Sequence, residues 1–114
     1  MAKHFMNLNS EPFDKIKNGS KKYELRLYDE KRQSIRIGDT IKFTKRDSDE
    51  NCTVQVTDLR RFACFADVYA ALPLAQCGYD ISELNNASPN DMEAYYSKEE
   101  QRLHGVLAIK IKLL

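Results

Sequence analysis

The stretch GSKKYELRL, Gly19 to Leu27, marks the point where a helix gives way to a strand. Upstream of it, Ser10 is placed to be a helix N-cap, and the Glu-Pro pair that follows is typical of a first helical turn. Gly19 can adopt the left-handed conformation that ends a helix. From Lys22 onward apolar and charged residues alternate, which predicts a strand with two different faces.

The charged face of that strand carries Lys22, Glu24 and Arg26, so that one carboxylate lies between two cations. One interpretation is a solvated face on which opposite charges compensate each other. The other is that Glu24 orients the planar guanidinium of Arg26 to grip a phosphate or the edge of a base. Lys21, at the joint after Gly19, would then point toward the same cleft.

The rest of the chain alternates between short strand and helix patterns. Turn signals between short alternating runs favour an antiparallel sheet or a small barrel. Phe62, Phe65 and Tyr69 have helical or pre-helical spacing and are predicted to lie in the core. The sequence thus predicts one α+β domain over residues 1–114. Further strands are expected at His4–Leu8, Thr40–Thr44, Cys52–Leu59 and Gly105–Leu114. A polar turn is expected at Asp29–Ser34, and further helices are expected at Phe65–Leu72, after Ser88 and after Ser97.

Composition and charge narrow the class of protein. Hydrophobic residues make up 42% of the chain and charged residues 31%, which is too apolar for a disordered protein. Residues 1–46 are net basic and residues 47–114 are net acidic, although the whole chain carries only +1. Such asymmetry suggests a polyanionic partner for the basic half, the alternative being an ordinary solvated surface.

The remaining composition argues against metals, cofactors and membranes. Cys52, Cys64 and Cys77 form no C-x-x-C pair, so we predict free thiols in a reducing compartment rather than a zinc site with His104. There is no Gly-rich phosphate loop, and no apolar run has the roughly 18 residues that span a bilayer. We therefore expect a cytoplasmic protein with no cofactor, no structural metal and no membrane contact.

The spacing of Gly19, Lys21, Glu24 and Arg26 reproduces the pattern G-x-K-x-x-E-x-R, and with it the chain resembles the ASCH domain family. The similarity extends over most of the chain. It includes the segments SEPFDKIKNG, RIGDTIKF and YYSKEEQRLHGVLAIKI. The resemblance implies a small, mixed, mostly antiparallel β-barrel of the PUA-like superfamily with flanking short helices, and a charged cleft that binds RNA.

On this resemblance the expected ligand-binding residues are Lys21, Glu24 and Arg26, with Lys22 beside them on the ladder. Tyr28 is a candidate for stacking on a base, although a half-buried position in the sheet is the simpler role for it. Lys42 and Arg46, on the outward face of the neighbouring strand, are expected to add supporting contacts.

An enzymatic function is the alternative. One branch of the family resembles a small amidohydrolase that removes the acetyl group from acetylated cytidine, and there a threonine stands at the position of Glu24. Lys21 could act as the base, Asp91 or Glu93 as the distant acid, and Glu24 could activate a water. The same lysine and glutamate could instead promote RNA cleavage through a 2′-hydroxyl. RNA binding, hydrolysis of a modified nucleoside or of RNA, and a protein-interaction role thus stay open.

Overall fold

A computed structural model describes all residues from Met1 to Leu114, and its centre is one five-stranded sheet with the order β1-β3-β4-β5-β2. β1 runs parallel to β3, and every other pair of neighbours is antiparallel. The predicted α+β class with a mostly antiparallel sheet is therefore confirmed, and the sheet curls into a half-barrel. The strands are β1 Lys3–Leu8, β2 Tyr23–Leu27, β3 Thr40–Lys45, β4 Asn51–Phe62 and β5 Val106–Leu113.

Short helices surround the sheet, and none of them combines the length and apolar character needed to cross a bilayer. Between the third and fourth α-helices the chain forms three consecutive 3₁₀ turns, here called the 3₁₀ segment (residues 74–94). The α-helices are α1 Ser10–Lys17, α2 Glu30–Gln33, α3 Phe65–Ala71 and α4 Lys98–His104.

Three details differ from the sequence prediction. Asn9 is the N-cap of α1, and Ser10 is already the first helical residue. The expected polar turn at Asp29–Ser34 contains the four-residue helix α2, because the Asp29 side chain accepts a hydrogen bond from the Arg32 amide and caps it. β4 continues to Phe62, since its pairing with β5 resumes after a register shift between Val56 and Asp58.

Apolar side chains pack on both faces of the sheet. One cluster fills the inside of the curl and includes Phe13 of α1, Phe43 and Ile109, none of which is exposed. The other cluster lies under α3 and includes Leu25, Leu27 and Val106. Directly opposed residues of an antiparallel ladder share a face, so β2 turns its apolar residues to the second cluster and its charged residues to the inside of the curl.

β1 and β2 are the two ends of the strand order, and no backbone ladder joins them. Side chains bridge the opening instead. Arg26 Nη2 donates to the Asn7 carbonyl at 3.1 Å, and Lys31 Nζ donates to the Phe5 carbonyl at 3.0 Å. The charged residues of β2 therefore lie where the half-barrel is open.

A candidate nucleic-acid interface at the open edge of the sheet

Three side chains form a nearly buried ion triad. Lys21 Nζ lies 2.8 Å from Glu24 Oε1, and Arg26 Nε lies 2.8 Å from Glu24 Oε2. The Glu24 side chain is only 4% exposed. The interpretation of this face as a solvated surface is thus wrong at Glu24. Alternation along a strand predicts which residues share a face, but it does not predict whether another part of the chain covers that face.

Opposite charges keep the triad ionised. Burial acts to raise the pKa of Glu24, but the Lys21 ammonium and the Arg26 guanidinium outweigh it, and the net pKa is lowered. Burial likewise acts to lower the pKa of Arg26, and the Glu24 carboxylate reverses that effect, so the net pKa is raised. The triad therefore presents one net positive charge.

Local structure brings the triad together. Glu24 and Arg26 are two apart on β2 and face the same side, opposite Ile109 and Leu107 of β5. Lys21 precedes the strand and escapes its alternation, because Gly19 turns the chain with φ +87°. The Lys21 amide donates to the Lys15 carbonyl at 3.0 Å, which fixes the joint against α1.

Arg26 retains donors for a ligand. A guanidinium carries five N–H groups, and in Arg26 one binds Glu24 and another the Asn7 carbonyl. The remaining N–H groups have no partner in the protein. Both oxygens of Glu24, in contrast, already accept a hydrogen bond from a cation.

The triad forms one wall of a cavity of about 420 Å³ at the opening of the half-barrel. Tyrosines from α3, the 3₁₀ segment and the residues that follow also line it. Tyr95 is 65% exposed, whereas Tyr96 stacks on the buried Phe65 at a centroid distance of 5.7 Å. The tyrosines that line the cavity are Tyr69, Tyr79, Tyr95 and Tyr96.

Two of these tyrosines are tied to an acid. The Tyr79 hydroxyl donates to Asp91 Oδ2 at 2.7 Å and lies 2.6 Å from the Tyr69 hydroxyl. Since each hydroxyl has one proton, Tyr69 donates to Tyr79. Burial, reinforced by these hydrogen bonds, raises the pKa of Tyr79, so its hydroxyl stays protonated. Tyr69, Tyr79 and Asp91 thus form a hydrogen-bonded chain on the cavity wall.

Lys15 attaches the 3₁₀ segment to α1. Its ammonium donates to the Gly78 carbonyl at 2.6 Å and to Glu11 at 3.0 Å, and it lies 3.5 Å from Asp80 and 3.7 Å from Glu83. The carboxylates of these three acids lie within 4.8 Å of one another, a spacing that would suit a metal ion. Lys15 supplies the cation at that place.

The expected residues divide between the cavity and other surfaces. Arg46 lines the cavity, whereas Lys42 does not. Lys22 is exposed and lies outside the cavity. Tyr28 is half-buried beneath the Arg61 guanidinium, 4.0 Å from its ring centroid, which favours the sheet role over stacking.

The other predicted groups also have definite places. Asp91 lines the cavity, and Glu93 instead pairs with Lys98 at 3.4 Å. Phe65 is fully buried as predicted, but Tyr69 is only partly buried and belongs to the cavity wall. The three cysteines are free thiols, and they form no cluster with His104.

Sequence reasoning missed Tyr95 and Lys15 as members of the site. The sequence did contain an indication for Tyr95. It belongs to a Tyr-Tyr pair that directly precedes the capping box of α4, so its ring lies outside that helix. Lys15 gave no such signal, since its partners at Gly78 and Asp80 are more than sixty positions away.

Solved structures share the fold of this chain. The crystal structure of hypothetical protein PH0355 superposes with a TM-score of 0.81 at 30% identity, and all of both chains is covered. The solution structure of protein PF0455 from Pyrococcus furiosus gives a TM-score of 0.75 at 29% identity, covering 98% of this chain and 97% of that one. No curated protein matches the chain.

The curled sheet with its short flanking helices is the PUA-like half-barrel, a fold also present in an ASCH domain from Lactobacillus crispatus JV V101. That domain has a TM-score of 0.62 at 17% identity, with 96% of this chain and 79% of that chain covered. The ASCH domain family model matches residues 6–114. The chain belongs to the ASCH domain family.

Proposed function

We propose that this ASCH domain protein binds RNA or a nucleotide in the cavity lined by Lys21, Glu24 and Arg26. The observation that carries the proposal is a nearly buried ion triad that lines one cavity of about 420 Å³ together with an exposed aromatic ring. The family supports it, because ASCH domains are in general RNA-binding-like. Single-stranded RNA is recognised by this combination of cationic donors and aromatic faces.

Each wall has a distinct chemical use. The free N–H groups of Arg26 and the exposed Arg46 suit a phosphate or a base edge. Tyr95 offers a face on which a base can stack. Glu24 holds Arg26 in place, and both of its oxygens already accept hydrogen bonds from cations.

The geometry favours binding over hydrolysis. Glu24 stands where the amidohydrolase branch has its hydroxyl nucleophile, and both of its oxygens are bonded to cations. The hydroxyls of Tyr69 and Tyr79 are also engaged, in the hydrogen-bonded chain that ends at Asp91. A lowered pKa makes the Glu24 carboxylate a weak base, whereas hydrolysis would need it to take a proton from a water.

The test is binding of a short labelled single-stranded RNA by fluorescence anisotropy. Tyr95→Ala is expected to weaken binding roughly 5- to 150-fold, the equivalent of about 1–3 kcal/mol for one stacked base. The fold should remain, because Tyr95 is mostly exposed. Arg102→Gln on α4 removes an exposed charge outside the cavity and should bind as the parent does.

Two results would overturn the proposal. The first is no RNA or nucleotide binding at low salt, where electrostatic affinity is strongest. The second is a chemical product, detected by mass, from acetylated cytidine or from the RNA. A product that disappears in a folded Lys21→Met variant would make the protein a hydrolase.

A further inference from the structure

A second concave surface lies on the other side of Lys21. This lysine cleft has a volume of about 320 Å³ and contains no carboxylate among its lining residues. It lies between the helix-to-strand joint and the end of β5. Its residues are Ile16, Gly19, Lys21, Lys22, Thr57, Lys110, Ile111, Lys112 and Leu113.

Three of its four lysines make no ion pair. No carboxylate oxygen lies within 4.0 Å of Lys22, Lys110 or Lys112. Asp58 is opposite Lys110 on the β4–β5 ladder, but the two make no ion pair. Only Lys21 is paired, and its partner Glu24 belongs to the other cavity.

The two surfaces therefore differ sharply in charge. The cavity is balanced, with as many carboxylates as cations on its wall, whereas the lysine cleft is cationic only. The charged residues of the cavity are Lys15, Lys21, Arg26 and Arg46 against Glu11, Glu24, Glu83 and Asp91.

The fold holds the lysines at fixed positions on neighbouring strands. The Ile111 amide donates to the Lys22 carbonyl at 2.9 Å, which continues the β2–β5 ladder to the joint. Lys110 is opposite Tyr23, and its ammonium lies 6.0 Å from the centroid of that ring. Lys112, two residues further along β5, is on the same face as Lys110. A Cβ added at Gly19 would meet nothing within 4 Å, so the cleft is open at this residue.

We propose that the lysine cleft binds phosphate groups of the RNA strand whose nucleotide occupies the cavity, an inference that rests on the proposed function. Lys21 lines both surfaces, so the two are neighbours and one strand can contact both. Lysine acts on phosphate as a point charge that does not discriminate between bases. The lysine cleft supplies salt-dependent affinity, and the cavity supplies selectivity.

The test compares two variants that each lose two exposed positive charges. Lys110→Gln with Lys112→Gln removes charge from the lysine cleft, and Lys3→Gln with Arg102→Gln removes it elsewhere. Affinity for a short single-stranded RNA is measured across a salt series. The cleft variant should lower the slope of log affinity against log salt by about 1.4, which is about 0.7 for each phosphate that the variant no longer neutralises.

The control variant should keep the parental slope, and the two variants should bind a nucleoside monophosphate equally. Equal slopes for RNA in the two variants would overturn the inference while leaving the proposed function intact. RNAs with a 5′-hydroxyl and a 5′-phosphate distinguish the source of the phosphate. A slope difference that persists with the 5′-hydroxyl RNA assigns the cleft to internal phosphodiesters, and one that needs the 5′-phosphate assigns it to the strand end.

Tripolyphosphate separates failure of the inference from failure of the proposed function. If the parent protein binds no RNA, calorimetry with tripolyphosphate at low salt still reports on the cleft. Binding that is lost in the Lys110→Gln, Lys112→Gln variant and kept in the control would leave a phosphate site and reject RNA as its source. Absence of binding to both probes would overturn the inference together with the proposed function.

Discussion

Replacing Glu24 with glutamine tests whether the triad is a buried electrostatic unit. The change preserves the shape of the side chain but leaves Lys21 and Arg26 without the charge that both contact at 2.8 Å. Removing one partner from a buried ion pair costs about 3–5 kcal/mol, because the remaining charge is desolvated and unpaired. A domain of this size has a total stability of about 5–15 kcal/mol, so the loss would be a large part of it.

A triple variant separates charge from packing. Lys21→Met, Glu24→Leu and Arg26→Met together remove every charge of the triad and keep apolar bulk at each position. Replacing a complete buried ion network by apolar side chains is often neutral or stabilising. Removing the hydrogen bond from Arg26 to the Asn7 carbonyl costs about 1 kcal/mol. The triple variant should therefore be more stable than Glu24→Gln alone.

The assay is urea unfolding followed by far-UV circular dichroism, which suits a chain without tryptophan. Equal slopes against urea would show that the midpoints report stability. A cost for Glu24→Gln below about 1 kcal/mol, as for an exposed ion pair, would refute the assignment of a buried triad. A triple variant less stable than the single variant would refute the desolvation argument.

Acid unfolding gives an independent check on Glu24. Its folded-state pKa lies below the ordinary value of 4.5, so its stabilising contribution is complete above that pH. The contribution is lost as the pH falls through the folded-state pKa. Glu24→Gln should therefore remove part of the loss of stability below about pH 4.5, and an unchanged acid limb would contradict the lowered pKa.

Further predictions concern groups away from the triad. Hydrogen bonds, first of all from His4, lower the pKa of Asp39 from 3.8 to about 2. Asp39→Asn should therefore cost about 2 kcal/mol of unfolding free energy at neutral pH, and it should flatten the dependence of that free energy on pH between about pH 4 and pH 2. An unchanged acid limb in urea titrations would reject this. Lys15→Met should speed amide hydrogen exchange in residues 77–84, whereas exchange in β4 should stay at the parental rate. Parental exchange rates in residues 77–84 of the variant would show that Lys15 does not hold the 3₁₀ segment. Burial raises the pKa of Cys77 to about 11, so iodoacetamide at pH 8 should leave it unmodified until urea is added, with labelling read by mass.

The strands were predictable because their periodicity is local. Alternation placed Ile41 and Phe43 of β3 and Val54 of β4 in the core, and all three are fully buried. The exposure of Lys110 and Lys112 at the end of β5 was also expected. These features depend on residues two apart in sequence, which is the range over which a strand repeats.

The cover over the charged face was not predictable. The 3₁₀ segment has no helical or strand period, so its position depends on distant contacts such as Lys15 with the Gly78 carbonyl. Glu24 looks like a surface residue in sequence, and it is buried because this segment and the tyrosines on either side of it lie at the opening of the half-barrel. A buried charge on a strand becomes recognisable only once its partners and its cover are known.

The shared position of Lys21 determines which substitutions are informative. Because it lines both surfaces and pairs with Glu24, changing it disturbs stability, the cavity and the lysine cleft at once. Tyr95 belongs to the cavity alone and Lys112 to the lysine cleft alone, and both are exposed enough to be replaced without a packing cost. If the two surfaces act on one strand, Tyr95→Ala should change affinity at every salt concentration, whereas Lys112→Gln should change it chiefly at low salt. That contrast, and not the loss of binding on changing Lys21, identifies which surface recognises the base and which holds the backbone.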